Sequence, residues 1–291
     1  MGKLIIENVS KSYGEKKALK DFSFEVNGGE IVGLIGKNGA GKTTLLNVIA
    51  GNIFCDEGKI YYDQTNILED GQVRKDFGIL IQPAFLDYMN TEDNLRLLQN
   101  ALGEWDKKVI NNRIKNVLNM VGLTGKEKTY VKSFSFGMKQ RLGFAQALLN
   151  GRKVMILDEP FVGLDIKGRE MVKKYVKQYA KENNISVIFS DHNLDEVRSL
   201  CDRVVVIADG EKKYDGDVYS RKKYEIKVGD INESLIGSMQ RFDDIHVSVG
   251  ESNIIVDNKE MINDVISTIV KHAVIKDVSI IDDSLERFFE A

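Results

Sequence analysis

Nine consecutive residues, Gly36-Lys37-Asn38-Gly39-Ala40-Gly41-Lys42-Thr43-Thr44, set glycines, a lysine and two hydroxyls in the spacing of a phosphate-binding loop. Glycines at 36, 39 and 41 let the backbone close in so that its N–H groups surround phosphate oxygens. Lys42 can then reach the β- and γ-phosphates of a nucleotide, and the Thr43 hydroxyl can ligate Mg²⁺. A helix that starts at this point adds the positive potential of its N-terminus. The alternative is a plain glycine-rich turn; the apolar run before the loop and the helical pattern after it favour the nucleotide. A second constellation, Asp158-Glu159, follows the apolar run 154–157 and so falls at the carboxyl end of a buried strand, where open α/β sheets bind ligands. Asp158 is suited to Mg²⁺, directly or through water, and Glu159 to polarising the water that attacks a γ-phosphate. An exposed acidic turn is the alternative there.

The elements that must position these residues can be read from periodicity. Leu4 and Ile6, then Phe22, Phe24 and Val26, alternate with polar neighbours and predict antiparallel strands ahead of the first buried one. The continuous apolar run Ile31-Val32-Gly33-Leu34-Ile35 predicts a strand covered on both faces, followed by a helix over 42–50. Between 91 and 121, Leu95, Leu98, Ile110, Ile114, Val117, Leu118 and Val121 recur at helical spacing, which predicts a helical subdomain over about 84–150. A helix over 137–149, a strand over 154–157, a helix over 171–182 and a strand over 185–189 continue a parallel α/β rhythm. The chain turns polar at 215–221. Beyond it the order is strand 223–228, helix 231–240, strands 245–249 and 253–256, helix 260–272 and strand 274–281, a split βαβ pattern. Two domains are therefore expected, 1–216 and 217–291.

Composition bounds the classes. The 291 residues carry 41 basic and 44 acidic side chains, a formal net charge of -3, with both signs mixed along the chain. No extended basic tract points to a nucleic-acid partner. The longest apolar runs, such as 204–208, fall far short of the roughly 20 residues that span a bilayer, and the N-terminus alternates like a strand rather than a secretory signal. A cytoplasmic protein is expected. Cys55 and Cys201 lie far apart without a cluster of ligands around them, which fits reduced thiols serving as small core residues.

Together with Ser135-Phe136-Gly137-Met138-Lys139-Gln140-Arg141, about 20 residues before the acidic strand end, these stretches resemble the ATP-binding cassette family over most of 3–215. The resemblance implies an α/β P-loop NTPase: a mixed sheet core, an antiparallel β subdomain and a helical subdomain, followed here by a small α+β C-terminal domain. It implies ATP and Mg²⁺ as ligands, with Gly36, Asn38, Gly39, Ala40, Gly41, Lys42, Thr43 and Thr44 around the phosphates. Thr43, Asp158 and Gln82 would attend the metal, and Gln82 would also sense the attacking water. Tyr13 would stack on adenine, Asp165 in Gly163-Leu164-Asp165 would belong to the D-loop, and His192, after Phe189-Ser190-Asp191, would be the switch histidine, reaching the γ-phosphate from the sheet edge. His246 and His272, in the appended domain, carry no such implication. Ser135 and Gly137 would present backbone N–H groups to the γ-phosphate held by a second cassette, either an identical copy or a homologue, closed head to tail. Phe136 and Met138 stand where many cassettes have glycine and glutamine.

The form of this signature, the stretch Gln82-Pro83-Ala84-Phe85-Leu86 and the terminal Ser-Leu-Glu-Arg-Phe-Phe at 284–289 look most like the cassettes of bacitracin and lantibiotic immunity exporters. Many of those carry an acid at the position of Gln82. The likeness implies a subunit that powers export, of a peptide antibiotic or another toxic compound, through a separate membrane permease, lying at the inner face of the cell membrane. The competing reading is an ATPase of this type acting on a soluble target; such proteins typically carry tandem cassettes or a long coiled-coil insertion. A small-molecule kinase is a third, against which the serine-glycine signature argues.

Overall fold

The chain opens with two long strands, β1 (Lys3–Tyr13) and β2 (Lys16–Asn27), in which Leu4, Ile6, Val9, Phe22, Phe24 and Val26 are buried and the residues between them point outward. One covered face is what the alternation demands, and the strands pair antiparallel with Leu4 opposite Val26 and Ile6 opposite Phe24. The structure is a computed structural model and describes residues 2–218, 223–242, 245–250, 252–256 and 261–281. The terminal stretch 284–289 and part of the polar segment 215–221 lie outside the described residues. The chain divides into two compact units, Met1–Val218 and Tyr219–Ala291.

In the first unit, β3 (Ile31–Ile35) is buried along its whole length and delivers the chain through a tight loop into helix α1 (Lys42–Ala50). Strands β4 (Glu57–Tyr62) and β5 (Thr65–Asn66) then complete a sheet of order β2-β1-β4-β5. A second sheet takes in β6 (Phe77–Leu80), β7 (Val154–Asp158), β8 (Ser186–Ser190), β9 (Arg203–Ala208) and β10 (Glu211–Asp217), in the order β10-β9-β3-β8-β7-β6. Its strands are parallel except β10, which returns antiparallel along β9. The apolar runs of β3, β7, β8 and β9 are covered on both faces, and the carboxyl ends of β3, β7 and β8 share one edge.

Between β6 and β7 lie the helices α2 (Thr91–Ala101), α3 (Lys107–Met120) and α4 (Phe136–Asn150). Asn90 and Asp106 cap α2 and α3 by accepting N–H groups of their first turns. After β7, α5 (Ile166–Asn183) begins five residues before the expected 171, because the Asp165 carboxylate caps it and Gly168 in its first turn donates to that cap. Helix α6 (Leu194–Leu200) joins β8 to β9. Strands β4, β5, β6, β9 and β10 and helix α6 are not among the predicted elements. In β6 the alternation is broken by Gly78, where a Cβ would stand 2.1 Å from the Ala147 carbonyl of α4.

The second unit has its own four-stranded antiparallel sheet, of β11 (Lys223–Val228), β12 (Ile245–Ser248), β13 (Asn253–Val256) and β14 (Ile275–Ile281), in the order β12-β13-β11-β14. Helices α7 (Glu233–Met239) and α8 (Ile262–Ile269) pack on it through Leu235, Met239, Val265 and Ile269. Both are shorter than the predicted 231–240 and 260–272. Asn232 caps α7, and after Ile269 the chain turns back, the His272 and Ala273 N–H groups both donating to the Ile269 carbonyl. His272 bonds Ser234 and Ser238 of α7, each at 3.1 Å. Cys55 and Cys201 are free thiols, and Cys201 is buried.

Candidate nucleotide site

The loop between β3 and α1 folds as its glycines require. Gly41, the N-cap of α1, has φ 115°, and a Cβ there would stand 2.5 Å from the Ala18 carbonyl; at Gly36 a Cβ would come within 2.2 Å of the Ile207 carbonyl. Both clashes are with backbone, so neither position tolerates a side chain. Gly39 also has positive φ, at 82°, in open space, and the exposed Asn38 beside it lines the same cleft. Lys42, the first residue of α1, is buried, and its ammonium donates to the carbonyls of Gly36 at 2.6 Å and Lys37 at 3.1 Å. Burial pushes its pKa below the ordinary lysine value, against the pull of Glu159, Asp158 and Asp191. The lysine thus closes a ring on its own loop, with two loop carbonyls as its acceptors.

Two strand ends bring the acids to this loop. Asp158, last residue of β7, accepts the Thr43 hydroxyl on Oδ2 at 2.9 Å and the Ser190 hydroxyl on Oδ1. Glu159 follows with φ 46°, a left-handed conformation uncommon outside glycine, and its N–H is taken by Ser190. The exposed His192 ring has Nδ1 3.6 Å from Glu159 Oε1. Asp191, which precedes His192 in the chain, is buried, and that burial raises its carboxyl pKa, opposed by the Asn193 N–H it accepts. Gln82, just past β6, is also left-handed at φ 47°. Two clefts meet here. One, of about 330 Å³, runs from Tyr13 and Lys16 past Asn38, Gly39 and Thr44 to Lys42. The other, of about 480 Å³, holds Gln82, Gln140 and Asp158. Thr43 and Glu159 line both.

Thus Lys42, Thr43, Asp158, Glu159, His192 and Gln82 converge on one edge of the parallel sheet, and Tyr13 stands half-exposed at the far end of the first cleft. Ala40 is buried under the loop, its N–H donating to Lys37 and its carbonyl accepting from Gly210. Ser135, Gly137 and Asp165 form a separate group. Ser135 caps α4, its hydroxyl accepting the Met138 N–H at 3.3 Å. Gly137 lies so close to the Gly163 carbonyl that a Cβ would stand 2.6 Å from it. Asp165 receives the Gly168 N–H at 2.9 Å and Arg141 Nη2 at 2.8 Å, and these, the N–H foremost, hold its carboxyl below the usual carboxylate range. Sequence reasoning gave no role to Ser190, Arg141, Gln140 or Lys16. Gln140, buried in α4, donates to the Glu159 carbonyl at 3.3 Å. These contacts join segments far apart in the chain, so local spacing carried no signal for them.

Residues 19–162 match the family model described as ABC transporter. Among relatives, the chain is 39% identical to an uncharacterized ABC transporter ATP-binding protein, YdbJ, of Bacillus subtilis, covering 72% of this chain and 68% of that one. It is 34% identical to the bacitracin transport ATP-binding protein BcrA of Bacillus licheniformis, covering 85% and 82%. It is 35% identical to the lantibiotic transport ATP-binding protein SrtF of Streptococcus pyogenes, covering 73% and 92%. Among solved structures, the dimeric post-hydrolysis ATP-binding cassette MJ0796 bound to ADP and Pi superposes with TM-score 0.68 at 26% identity, over 74% of this chain and 99% of that one. With the phosphate loop, the acidic strand end and the capped serine-glycine helix all in place on this fold, the chain belongs to the ABC transporter ATP-binding proteins and is an ATPase of that family.

Proposed function

We propose that this subunit drives export, of a peptide antibiotic or a comparable toxic compound, by binding and hydrolysing MgATP in the two clefts around Lys42, while a separate membrane permease carries the cargo. The observation that carries the mechanism is the meeting of Thr43 with Asp158 beside Lys42 and Glu159. Two hard oxygen donors suit Mg²⁺, which keeps waters and substrate phosphates as its remaining ligands instead of demanding an all-protein cage. Accordingly, among the described residues no group of three or more His, Cys, Asp or Glu side chains is arranged to hold a metal alone. Bound Mg²⁺ would neutralise developing phosphate charge.

This chain's own residues do the rest. Lys42 leaves the carbonyls of Gly36 and Lys37 for the phosphates; the loop N–H groups of 38–44 and the α1 N-terminus add donors. Glu159 accepts a proton from the attacking water, with His192 at its carboxylate and Gln82 across the cleft to orient that water. Tyr13 supplies a face for adenine. Ser135 and Gly137, on the exposed start of α4, serve the nucleotide of a second cassette, so ATP holds a head-to-tail pair shut and phosphate release lets it open. Asp165 lies on the same mating surface. No helix among the described residues is long and apolar enough to cross a membrane; in this reading the chain sits at the cytoplasmic face beside the separate permease. The exporter branch is supported by the relatives that transport bacitracin and a lantibiotic. The test is expression with the multi-span permease that copurifies with the chain in a bacitracin-sensitive host. Resistance that requires Glu159 supports the reading; transport inward, or resistance indifferent to Glu159→Gln, overturns it.

A further inference from the structure

We propose that Ser190 is a positioning residue for the metal side of the site, its single hydroxyl fixing the Asp158 carboxylate and the Glu159 backbone together. The inference rests on the roles given above to Asp158 and Glu159. Ser190 closes β8 and Asp158 closes β7, and the two are direct partners in the parallel register. Ser190 is fully buried. Its hydroxyl donates its one proton to Asp158 Oδ1 while Oδ2 takes the Thr43 hydroxyl, so each carboxylate oxygen is fixed by a different segment of the chain. A carboxylate tied at both oxygens holds one rotamer, and with it the direction in which Oδ2 offers its free lone pair to a cation.

The same oxygen has a second task. The Glu159 N–H reaches both the Ser190 carbonyl, at 3.0 Å, and the Ser190 hydroxyl oxygen, at 3.2 Å. Glu159 is the residue that leaves the strand with φ 46°, a left-handed conformation that strains a side chain with a Cβ. Two acceptors on one N–H hold that turn and aim the Glu159 side chain toward the cleft. Position 190 therefore needs a small group that donates and accepts at once where a buried strand leaves no room for water to substitute. Serine and threonine meet that demand. Alanine does neither, and cysteine is a poor donor. Ser190 acts through its neighbours, as the outer partners of metal ligands do.

The test uses the full-length chain in a Glu159→Gln background, which removes turnover, and measures binding of a fluorescent ATP analogue in Mg²⁺ and in EDTA. The expected result is that Ser190→Ala weakens the affinity in Mg²⁺ by about 10- to 100-fold, the usual cost of losing such a partner, and leaves the EDTA affinity unchanged. Ser190→Thr recovers the Mg²⁺ response and Ser190→Cys does not, a contrast that serves even where the alanine variant folds poorly. An undiminished Mg²⁺ response in Ser190→Ala and Ser190→Cys overturns the proposal, as does an equal loss of affinity in Mg²⁺ and EDTA, the mark of a merely structural role. Asp158→Asn separates the two layers. If it keeps the full Mg²⁺ response, the metal role of Asp158 fails and this inference with it; if it abolishes the response while Ser190→Ala does not, this inference alone fails.

Discussion

Glu159 sits at the point where β7 ends and the backbone turns left-handed, its carboxylate 3.6 Å from the His192 ring and its cleft shared with Thr43. A carboxylate that takes a proton in the transition state contributes roughly 10²–10⁴ in rate, so Glu159→Gln should lower phosphate release by about that factor. The amide keeps the size of the side chain, so equilibrium binding of ATP should persist. Normal turnover in this variant would remove Glu159 from the reaction. Lys42 makes the complementary case: its ammonium is buried and held by loop carbonyls at 2.6 and 3.1 Å, and among the described residues that line its cleft only Lys16 carries another positive charge, at the far end near Tyr13. Lys42→Ala should therefore abolish detectable ATPase activity and weaken nucleotide binding in a titration with a fluorescent analogue; unchanged activity would rule the role out. These residues were legible in the sequence because a phosphate loop and a strand-terminal acid pair are local patterns, set by spacing along one stretch of chain. Ser190 was not, since its meaning comes from standing beside Asp158 across two parallel strands, and Arg141 reaches Asp165 only because α4 and α5 start close together in space.

Helix starts are the elements on which this site is built, and they differ in what fixes them. The α4 start is held by an exposed Ser135 cap and by the contact of Gly137 with the Gly163 carbonyl. Ala at 137 would press its Cβ to 2.6 Å of that carbonyl, so α4 and the segment 163–165 must part. Misplacement by about 1 Å can cost about 10²-fold in rate, and Gly137→Ala should lose ATPase activity on that scale with ATP affinity at the Lys42 loop preserved. Equal loss of binding and turnover would instead locate the damage in the fold. The α2 start carries a pH signature. Glu92 accepts Lys128 at 2.9 Å and the (i, i+4) partner Arg96, and these, Lys128 foremost, draw its pKa below the ordinary 4.5. A carboxylate whose pKa is lower when folded stabilises the native state above its unfolded value and loses that contribution as pH falls through the folded one. Glu92→Gln should thus cost about 0.2–1 kcal/mol in denaturant melts at pH 7, the scale of exposed pairs. The deficit should shrink below pH 4.5; one that persists there would show that charge was not its source. Existence and order of the helices other than the seven-residue α6 were readable from apolar periodicity. Their ends were less so: Gly168 in the first turn of α5 disguised a start that Asp165 fixes, and Gly78 disguised β6 as a loop.

At the scale of the molecule, the unit Met1–Val218 and the unit Tyr219–Ala291 each bury a core of their own. The first core joins Leu4, Phe22 and Leu34 to Leu45, Ile156 and Ile207, binding the antiparallel sheet, α1 and the parallel sheet into one body. The second consists of Ile226, Val228, Leu235, Met239, Ile254, Val256, Val265 and Ile269. Every residue placed in the nucleotide site belongs to the first unit. A core of that second size in a unit of about 70 residues is marginal, since small domains bury a smaller share of their surface. Calorimetry of the full chain should accordingly resolve two transitions, the smaller one at lower temperature. A chain ending at 218 should lose only that lower transition and keep the ATP affinity and per-site turnover of the cassette. If the shortened chain is instead insoluble, or if full-length protein melts in one step that truncation shifts, the cassette depends on the appended unit for its fold. A part for 217–291 in dimer contacts or regulation is a separate proposal, and it predicts that, with folding intact, truncation changes the ATP concentration at which Glu159→Gln dimerises in sedimentation. An unchanged midpoint would leave the second domain without a part in the power stroke.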